Sequence, residues 1–358
     1  MVTENMNILL SCDDRYAKYV PVLLNSIFAH HENIPINIYL MYIKETPIQS
    51  ETLYAVDKHV NTNGMAKITY IAISMDDLMF FSSLSDVMPR LNKGRIPLEG
   101  FLYFVCHKYL PEEVNRCLYL DIDTLVNANI YEFYQTDFED NYLAVISSKR
   151  KTFYTDVIEY DMSLVSRGEY FNSGVILMNV FKLRSDAIGD EYYRECIEKV
   201  NKKGFLPFRL ADQSLANCAF IEKSKFIHDK DYNKMINAVL KGKKIYTKKE
   251  RTKWRILHHN CSGYKAWNFI LGKEFLGNNI IDKRETKKDV LFYFDLFWNY
   301  AIGTPFYEEI LTKAKENTGI LALSLLAGVN KKNRKLESEI ERLKTEKKDI
   351  VDQAIALL

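Results

Sequence analysis

The stretch from residue 116 to 126 constrains this chain most, because an apolar run of strand-forming residues ends there in two carboxylates, Asp121 and Asp123. Side chains two apart in extended backbone point to the same side, so both carboxylates should face one point. In an open α/β sheet, ligands bind beyond the carboxyl ends of the strands. Like charges held this close need a cation, and a hard divalent ion with oxygen ligands would neutralise them. The stretch therefore predicts a metal site at a strand end.

The same pair of carboxylates has a simpler interpretation. Asp often follows strands because its side chain caps turns and helices, and an Asp-x-Asp pair arises by chance in many chains. The buried strand in front of Asp121 favours the metal site over that alternative. Other clusters of polar residues in the chain have to decide between the two.

Composition favours a reduced, cytoplasmic α/β protein. With 358 residues, of which 47% are hydrophobic, the chain can form one large domain with appendages or two ordinary domains. A net charge of +2 does not indicate nucleic-acid binding. The six cysteines are scattered, which favours buried thiols over disulfides or a zinc site. Neither a secretory signal nor an apolar run long enough to span a bilayer is predicted.

Strands and helices are predicted to alternate through the first 260 residues, as in a parallel sheet. The predicted strands, besides the one before Asp121, are residues 7–12, 36–43, 67–73, 142–147, 172–178 and 255–259. The predicted helices are residues 20–30, 49–61, 100–110, 190–202 and 212–220. The fold class is therefore α/β.

The composition changes beyond about residue 278. Residues 290–300 are rich in aromatic side chains and residues 318–329 form an apolar run of helix formers. Packing of both on the main domain is favoured over a surface that lies in a lipid interface. Residues 330–358 have approximate heptad spacing, which predicts a short helix that pairs with a second copy or folds back. We expect residues 278–329 to be a helical extension and 330–358 a coiled-coil-like helix.

Three more clusters join the Asp-x-Asp motif. In the first, Asn172 comes shortly before Gly174 at the start of an apolar strand, where a ligand can approach the backbone closely. In the second, Asp212 and Gln213 lie side by side at a predicted helix start. The third lies within residues 258–267 and offers imidazole, a turn glycine, a lysine and an aromatic ring. Ligands for metal, phosphate and sugar are all present.

Together the four clusters resemble glycosyltransferase family 8, over roughly residues 6 to 270 and in the family's order. The resemblance implies retaining transfer of a hexose, galactose or glucose, from a UDP-sugar to a glycan, lipopolysaccharide-type (lipid-linked) or protein acceptor. It implies Mn²⁺, or alternatively Mg²⁺, as the cofactor. It also implies one Rossmann-like domain of the GT-A type over residues 1–277, with a mostly parallel central sheet.

The resemblance assigns roles residue by residue. The implied metal ligands are Asp121, Asp123 and His259. The implied donor-binding residues are Ser11, Asp13, Tyr16, Asp121, Ile122, Gly263 and Lys265. The residues implied at the donor sugar and the reaction centre are Asn172, Asp212 and Gln213.

Two of these residues, and the neighbouring His258, carry further expectations. His258 should face away from the metal, because neighbouring strand residues alternate sides. Gln213 is a neutral amide and a poor nucleophile, so we expect it to hold the sugar or stabilise the reacting carbon. Asp212 would either stabilise charge or bind a sugar hydroxyl, or it would cap its helix. The sequence does not decide between these roles. Nor does it decide between double displacement and a front-side reaction.

The chain also departs from the family pattern. Tyr103 takes the position of an arginine that meets the donor, residues 147–149 are Ser, Ser and Lys where many members carry a sugar-binding Asp, and Arg15 replaces a frequent Asn. A non-catalytic UDP-sugar-binding scaffold that acts through its C-terminal helices is therefore the alternative. A haloacid-dehalogenase-type phosphohydrolase is rejected, because Leu125 lies where that class has Thr or Val.

The basic loop at residues 241–253 is expected to be solvated. It would otherwise attract a phosphorylated acceptor or the anionic inner face of the membrane, which would make the protein peripheral there.

Overall fold

The computed structural model describes residues 4–84, 88, 97–148, 169–201, 208, 210–236, 246–260, 265–268 and 287–329. The strands in these ranges are β1 (Met6–Ser11), β2 (Ile36–Ile43), β3 (Ala66–Ile73), β4 (Arg116–Leu120), β5 (Thr124–Val126), β6 (Leu143–Ser147), β7 (Phe171–Asn179), β8 (Ser224–Ile227), β9 (Lys234–Met235) and β10 (Ile256–His258). The predictions for Gly263, Lys149, residues 237–245 and residues 330–358 fall outside the described residues.

The α-helices in the same ranges are α1 (Asp14–Ala17), α2 (Val20–Phe28), α3 (Ser50–Asn61), α4 (Met79–Ser82), α5 (Leu102–Tyr109), α6 (Tyr131–Tyr134), α7 (Val180–Ser185), α8 (Asp190–Asn201), α9 (Asp212–Phe220), α10 (Lys248–Arg251), α11 (Lys287–Ala301) and α12 (Tyr307–Val329). Short 3₁₀ turns lie at Met75–Leu78, Leu98–Phe101, Ile221–Lys223, Lys230–Asn233 and Ala266–Asn268. None of the described helices is both long and apolar enough to cross a bilayer.

Seven strands form the central sheet, in the order β3-β2-β1-β4-β7-β6-β8. The pairs β3-β2, β2-β1, β1-β4 and β6-β8 are parallel, whereas β7 is antiparallel to both β4 and β6. The prediction of a mostly parallel α/β sheet is therefore confirmed. Residues 6–10 of β1 are buried throughout, as expected for a strand covered by helices on both faces.

The strand before the carboxylates, β4, contributes to both faces of the sheet. Leu118 and Leu120 belong to one hydrophobic cluster, and Cys117 and Tyr119 belong to the other. This alternation follows from the pleat of a strand. It puts Tyr119 on the same side of the chain as the carboxylate that comes next, Asp121.

Beyond β4 the chain leaves the central sheet. It turns through Asp121, Ile122 and Asp123 and enters β5, which pairs with β10 in a second sheet of order β5-β10-β9. In this antiparallel pairing His258 lies opposite Thr124. A segment well over a hundred positions later in the chain is thereby brought beside the Asp-x-Asp turn.

The aromatic stretch at residues 290–300 packs on the main domain, as predicted. Within α11, the side chains of Tyr293, Phe294 and Phe297 are buried. They share a hydrophobic cluster with Trp254 and Trp267, which come from the segments around β10. Burial of several aromatic rings against the segments beside the second sheet fixes this helix in place.

Candidate active site

A cavity of about 540 Å³ opens beyond the carboxyl ends of β1 and β4, where the start of β7 and the start of α9 also meet. Its walls include all but two of the site residues predicted from the sequence. The lining residues are Ser11, Cys12, Asp13, Tyr16, Pro97, Glu99, Gly100, Tyr119, Asp121, Ile122, Asp123, Ser148, Tyr170, Asn172, Ser173, Leu210, Asp212, Gln213, Met235, His258, Asn260 and Lys265. The two exceptions are His259, which lies outside the lining, and Gly263, which is not described.

Asp121, Asp123 and His258 form a cluster in this cavity, with one potential ligand atom from each lying within 4.8 Å of the others. The His258 Nε2 atom is 3.1 Å from Asp123 Oδ1 and 3.5 Å from Asp121 Oδ2. The carboxylates come from the turn after β4, and the imidazole comes from the last residue of β10.

These three side chains fit a divalent cation. The buried Oδ1 atom of Asp123 has His258 Nε2 as a neighbour but accepts no well-aligned hydrogen bond from the described residues, so both atoms can turn their lone pairs to one ion. The other oxygen of Asp123, Oδ2, pairs with the ammonium of Lys265. Two carboxylate oxygens and one imidazole nitrogen are a donor set that suits a divalent metal ion.

The electrostatics of the cluster depend on burial and on the neighbouring charges. Burial raises the pKa of the Asp121 carboxyl, and His258 offsets only part of that rise. Burial also acts to raise the pKa of Asp123, but Lys265 and His258 outweigh it and hold that pKa well below its usual range. Burial alone would lower the pKa of His258, yet the Asp123 carboxylate raises it above its ordinary value. A positive charge between the two carboxylates is therefore favoured.

The predicted orientations of the two adjacent histidines were wrong. His258 faces the carboxylates, whereas the imidazole of His259 packs against the rings of Tyr293 and Phe294, with centroid distances of 4.6 and 5.9 Å. Burial, with a further contribution from Lys265, lowers the pKa of His259 to about 3, so this ring is neutral. The two side chains do alternate across the strand, but in the opposite sense to the one predicted.

Gly174 is needed where the cluster meets β7. A Cβ atom at this position would lie 2.2 Å from His258 Cε1 and 2.6 Å from Asp121 Oδ2. The sequence predicted a close approach to the backbone by a ligand here. The group that approaches is instead the protein's own imidazole, so Gly174 makes room for His258.

Tyr119 is a site residue that the sequence reasoning missed. Its hydroxyl donates to Asp121 Oδ1 at 2.8 Å and lies 3.3 Å from Ser11 Oγ. This contact leaves Oδ2 of Asp121 directed to His258. The available signal was alternation along β4, which places Tyr119 on the same side as Asp121.

Asp212 also lines the cavity. Its Oδ2 atom accepts a hydrogen bond from Ser173 Oγ at 2.9 Å. The Tyr103 hydroxyl makes longer contacts, of 3.4 Å to the Asp212 carbonyl and 3.5 Å to Oδ2. Burial, together with the charge of Asp121, raises the pKa of Asp212 to about 7.

Asp212 is not the cap of its helix, because the N-cap position of α9 is Ala211. Ala211 has a φ of +49°, a conformation that costs an L-residue strain energy. Such strain collects at functional sites, where the surroundings hold the chain in place. Ala211 takes the position that the cap interpretation gave to Asp212, and the role of Asp212 on charge or on a sugar hydroxyl stays a prediction.

The amides of Asn172 and Gln213 form a chain across the cavity floor. Asn172 Nδ2 donates to Gln213 Oε1 at 2.6 Å, and Gln213 Nε2 donates to the Tyr170 hydroxyl at 3.3 Å. Asn233 Nδ2 donates to the Asn172 oxygen at 3.1 Å. Hydrogen bonds on both sides hold each amide in one orientation, which suits recognition of sugar hydroxyls.

The predicted donor-binding residues Ser11, Asp13 and Tyr16 line the cavity at the end of β1, with a difference at Asp13. Both oxygens of Asp13 are engaged, one by the backbone N–H of Tyr16 at 3.0 Å and the other by Arg15 Nε at 2.7 Å. Glu99, which the sequence reasoning did not single out, is a buried carboxyl that also lines the cavity. Burial raises the pKa of Glu99 above its ordinary value.

The family model described as Glycosyl transferase family 8 matches residues 7–270. The chain belongs to glycosyltransferase family 8. It is 26% identical over 271 residues to a Haemophilus influenzae (strain Rd) protein described provisionally as a glycosyltransferase, an alignment that covers 74% of each.

Solved structures show that this family 8 protein has the GT-A glycosyltransferase fold. A galactosyltransferase, LgtC, in complex with donor and acceptor sugar analogues matches with a TM-score of 0.58 and 20% identity, over 85% of this chain and all of that chain. The bifunctional glycosyltransferase WbbM matches with a TM-score of 0.61 and 16% identity, over 87% of this chain and 52% of that one.

Tyr103 marks where this member departs from the family pattern. Its side chain is buried and its ring stacks on Phe104, with a centroid distance of 4.4 Å. A phenol hydroxyl donates one hydrogen bond and carries no charge at neutral pH, so it does not replace an arginine on a phosphate. Lys265 is the one Lys or Arg among the lining residues that the structure describes.

Asp212 gives a testable pH dependence of stability in the metal-free protein. Its carboxyl keeps its proton up to a pKa of about 7 in the folded state, against an ordinary value of 3.8. The folded state therefore binds more protons than the unfolded chain in this window. The free energy of unfolding should fall as pH rises, by up to about 1.4 kcal/mol per pH unit from this group.

Chemical denaturation of the protein and of Asp212→Asn, from about pH 4.5 to 7.5, measures that contribution. In the variant, the free energy of unfolding should fall less steeply with pH, because the contribution of Asp212 is missing. The plots of unfolding free energy against pH for the two proteins should therefore diverge between about pH 4.5 and 7.5. Parallel curves would contradict the raised pKa.

Proposed function

We propose that this protein is a retaining hexosyltransferase that moves galactose or glucose from a UDP-sugar to a glycan, on a lipopolysaccharide-type or glycoprotein acceptor, with Mn²⁺ as its cofactor. The observation that carries the proposal is the arrangement of one cavity. The cluster of Asp121, Asp123 and His258 and the group of Asp212, Gln213 and Asn172 both line it. A donor with its diphosphate at the cluster would present its sugar to the group.

The cluster of Asp121, Asp123 and His258 would hold the diphosphate. Asp121, Asp123 and His258 would bind Mn²⁺, which when present supplies Lewis-acid neutralisation of the charge on the departing diphosphate. Lys265 pairs with Asp123 and is positioned to donate to a phosphate oxygen once a cation shares that carboxylate. A preorganised ammonium of this kind stabilises charge where it develops in the transition state.

The group of Asp212, Gln213 and Asn172 would hold the sugar. The amides of Asn172 and Gln213 are fixed by their hydrogen bonds and would bind sugar hydroxyls or the ring of the reacting residue. Asp212 lies beside them and would be ionised once a bound cation offsets the charge of Asp121. In that state its carboxylate would stabilise the positive charge on the sugar ring. A leaving phosphate oxygen would take the acceptor proton, since no separate base is required for that step.

The nucleotide would lie towards Ser11, Asp13, Tyr16 and Ile122. Both oxygens of Asp13 already accept hydrogen bonds within the protein. Glu99 would therefore be a second carboxyl, beside Asp13, that binds the ribose or the base. Four further points stay predictions from the sequence: a role in cell-surface glycan synthesis, a cytoplasmic location, contact with the inner face of the membrane, and pairing through residues 330–358.

A panel of UDP-sugars tests the proposal. With Mn²⁺ present, we expect UDP-galactose or UDP-glucose to be hydrolysed slowly without acceptor, and to raise the melting temperature by about 5 °C at saturation. Each sugar is measured with Mn²⁺, with Mg²⁺ and with a chelator. Stabilisation by UDP and Mn²⁺ without turnover of any UDP-sugar would favour the non-catalytic scaffold instead, and no response to either would contradict donor binding.

A further inference from the structure

The C-terminal helix α11 contacts the backbone of the cation site. The side chain of Tyr293 is fully buried, and its hydroxyl donates to the carbonyl oxygen of Asp123 at 3.2 Å. The same carbonyl accepts the backbone N–H of His259 at 2.9 Å. One oxygen atom therefore joins three segments: the Asp-x-Asp turn, the end of β10 and α11.

The imidazole of His259 fills the space between β10 and α11. It is fully buried and neither of its ring nitrogens has a hydrogen-bond partner within the described residues. Its ring contacts are with Tyr293 and Phe294 of α11. Because adjacent strand residues face opposite sides, packing His259 against α11 directs His258 to the carboxylates.

A third contact lies at the Lys265 segment. Phe297 of α11 packs on Trp267, with a centroid distance of 5.8 Å. Two residues before Trp267, the Lys265 ammonium donates to the carbonyl of His259 at 2.6 Å and pairs with Asp123. Helix α11 thus contacts the segments that carry Asp123, His258 and Lys265.

From these contacts we propose that α11 is a positioning element of the cation site, and that Tyr293 is a positioning residue that holds Asp123 and His258 in register. The inference rests on the proposed cation site and goes beyond it, because it makes the C-terminal extension part of the site. Outer groups that orient ligands contribute to metal affinity although they do not touch the ion.

The variant Tyr293→Phe tests the inference, because it keeps the ring and removes the hydroxyl. Loss of this hydrogen bond should weaken Mn²⁺ binding by about three- to tenfold. The matched control is Tyr300→Phe on the same helix, whose hydroxyl contacts His30 Nε2 at 3.1 Å, away from the site. Titration of the full chain with Mn²⁺, read from the free-ion electron paramagnetic resonance signal, gives both affinities, and thermal midpoints are recorded beside them.

The outcomes separate positioning from general stability. Lower Mn²⁺ affinity in Tyr293→Phe alone supports the inference, whereas equal affinities in the two variants overturn it, even if both melt earlier. Absence of Mn²⁺ binding by the unaltered protein overturns the cation site itself, and with it this inference.

A second measurement needs no variant. Coupling between two sites is reciprocal, so Mn²⁺ with UDP should slow amide hydrogen exchange in α11 as well as in the Asp-x-Asp turn. Helix α8 is the internal reference, since it packs on α9 rather than on the second sheet. Protection of the turn without protection of α11 would overturn the inference.

Discussion

Replacement of Asp123 by asparagine should lower turnover of the UDP-sugar by about a thousandfold or more, which corresponds to several kcal/mol of lost transition-state stabilisation. The variant keeps the shape of the side chain and removes its charge. Because Lys265 and His258 hold the pKa of this carboxyl low, the residue is ionised at every working pH. The substitution therefore removes a full negative charge from the proposed cation site.

The change also leaves the Lys265 ammonium without its carboxylate partner, so its charge opposes binding of a cation nearby. We expect Mn²⁺ affinity to fall with activity, and both are measured on the same preparation. Asp140→Asn is the matched control, since it removes the same charge from a surface pair with Lys182. Circular dichroism and thermal midpoints establish that each variant is folded. Retained activity in folded Asp123→Asn would contradict the proposed site.

Local patterns were enough to predict several strands and helices of the fold. The strand β2 and the helix α9 begin and end at the predicted residues, since their apolar periodicity extends to both ends. Asp121 and Asp123 do face one site, but through the turn that the Thr124 N–H closes on the Asp121 carbonyl, and not through the extended backbone that the sequence predicted.

The missed features depend on contacts between distant segments. Alternation shows that only one of His258 and His259 faces the site, but not which one. The register of β10 on β5 decides it, and β5 is a three-residue strand that the sequence reasoning did not predict. In the sequence, Tyr119 and Tyr293 look like aromatic residues of the hydrophobic core, and nothing indicates a role for their hydroxyls. Their roles depend on partners that only the folded chain brings near.

The two histidines themselves give the second large expected effect. His258→Phe should weaken Mn²⁺ binding by about a hundredfold or more, because it removes the imidazole nitrogen that lies 3.1 Å from Asp123 Oδ1. The same substitution at His259 keeps an aromatic ring against Tyr293 and Phe294 and removes no hydrogen bond made by its ring to the described residues. We expect its Mn²⁺ affinity to stay within about threefold of the unaltered protein.

Because the two variants carry the same substitution at neighbouring positions, a difference between them reports the direction in which each ring points. Titration with Mn²⁺ in the presence of UDP measures both affinities, and thermal midpoints show whether the larger ring is tolerated. His258→Ala, which removes the ring instead of enlarging it, replaces His258→Phe if crowding against Gly174 unfolds that variant. The opposite result, with binding lost in His259→Phe and kept in His258→Phe, would restore the assignment made from the sequence. It would also mean that β10 binds the cation from its other face.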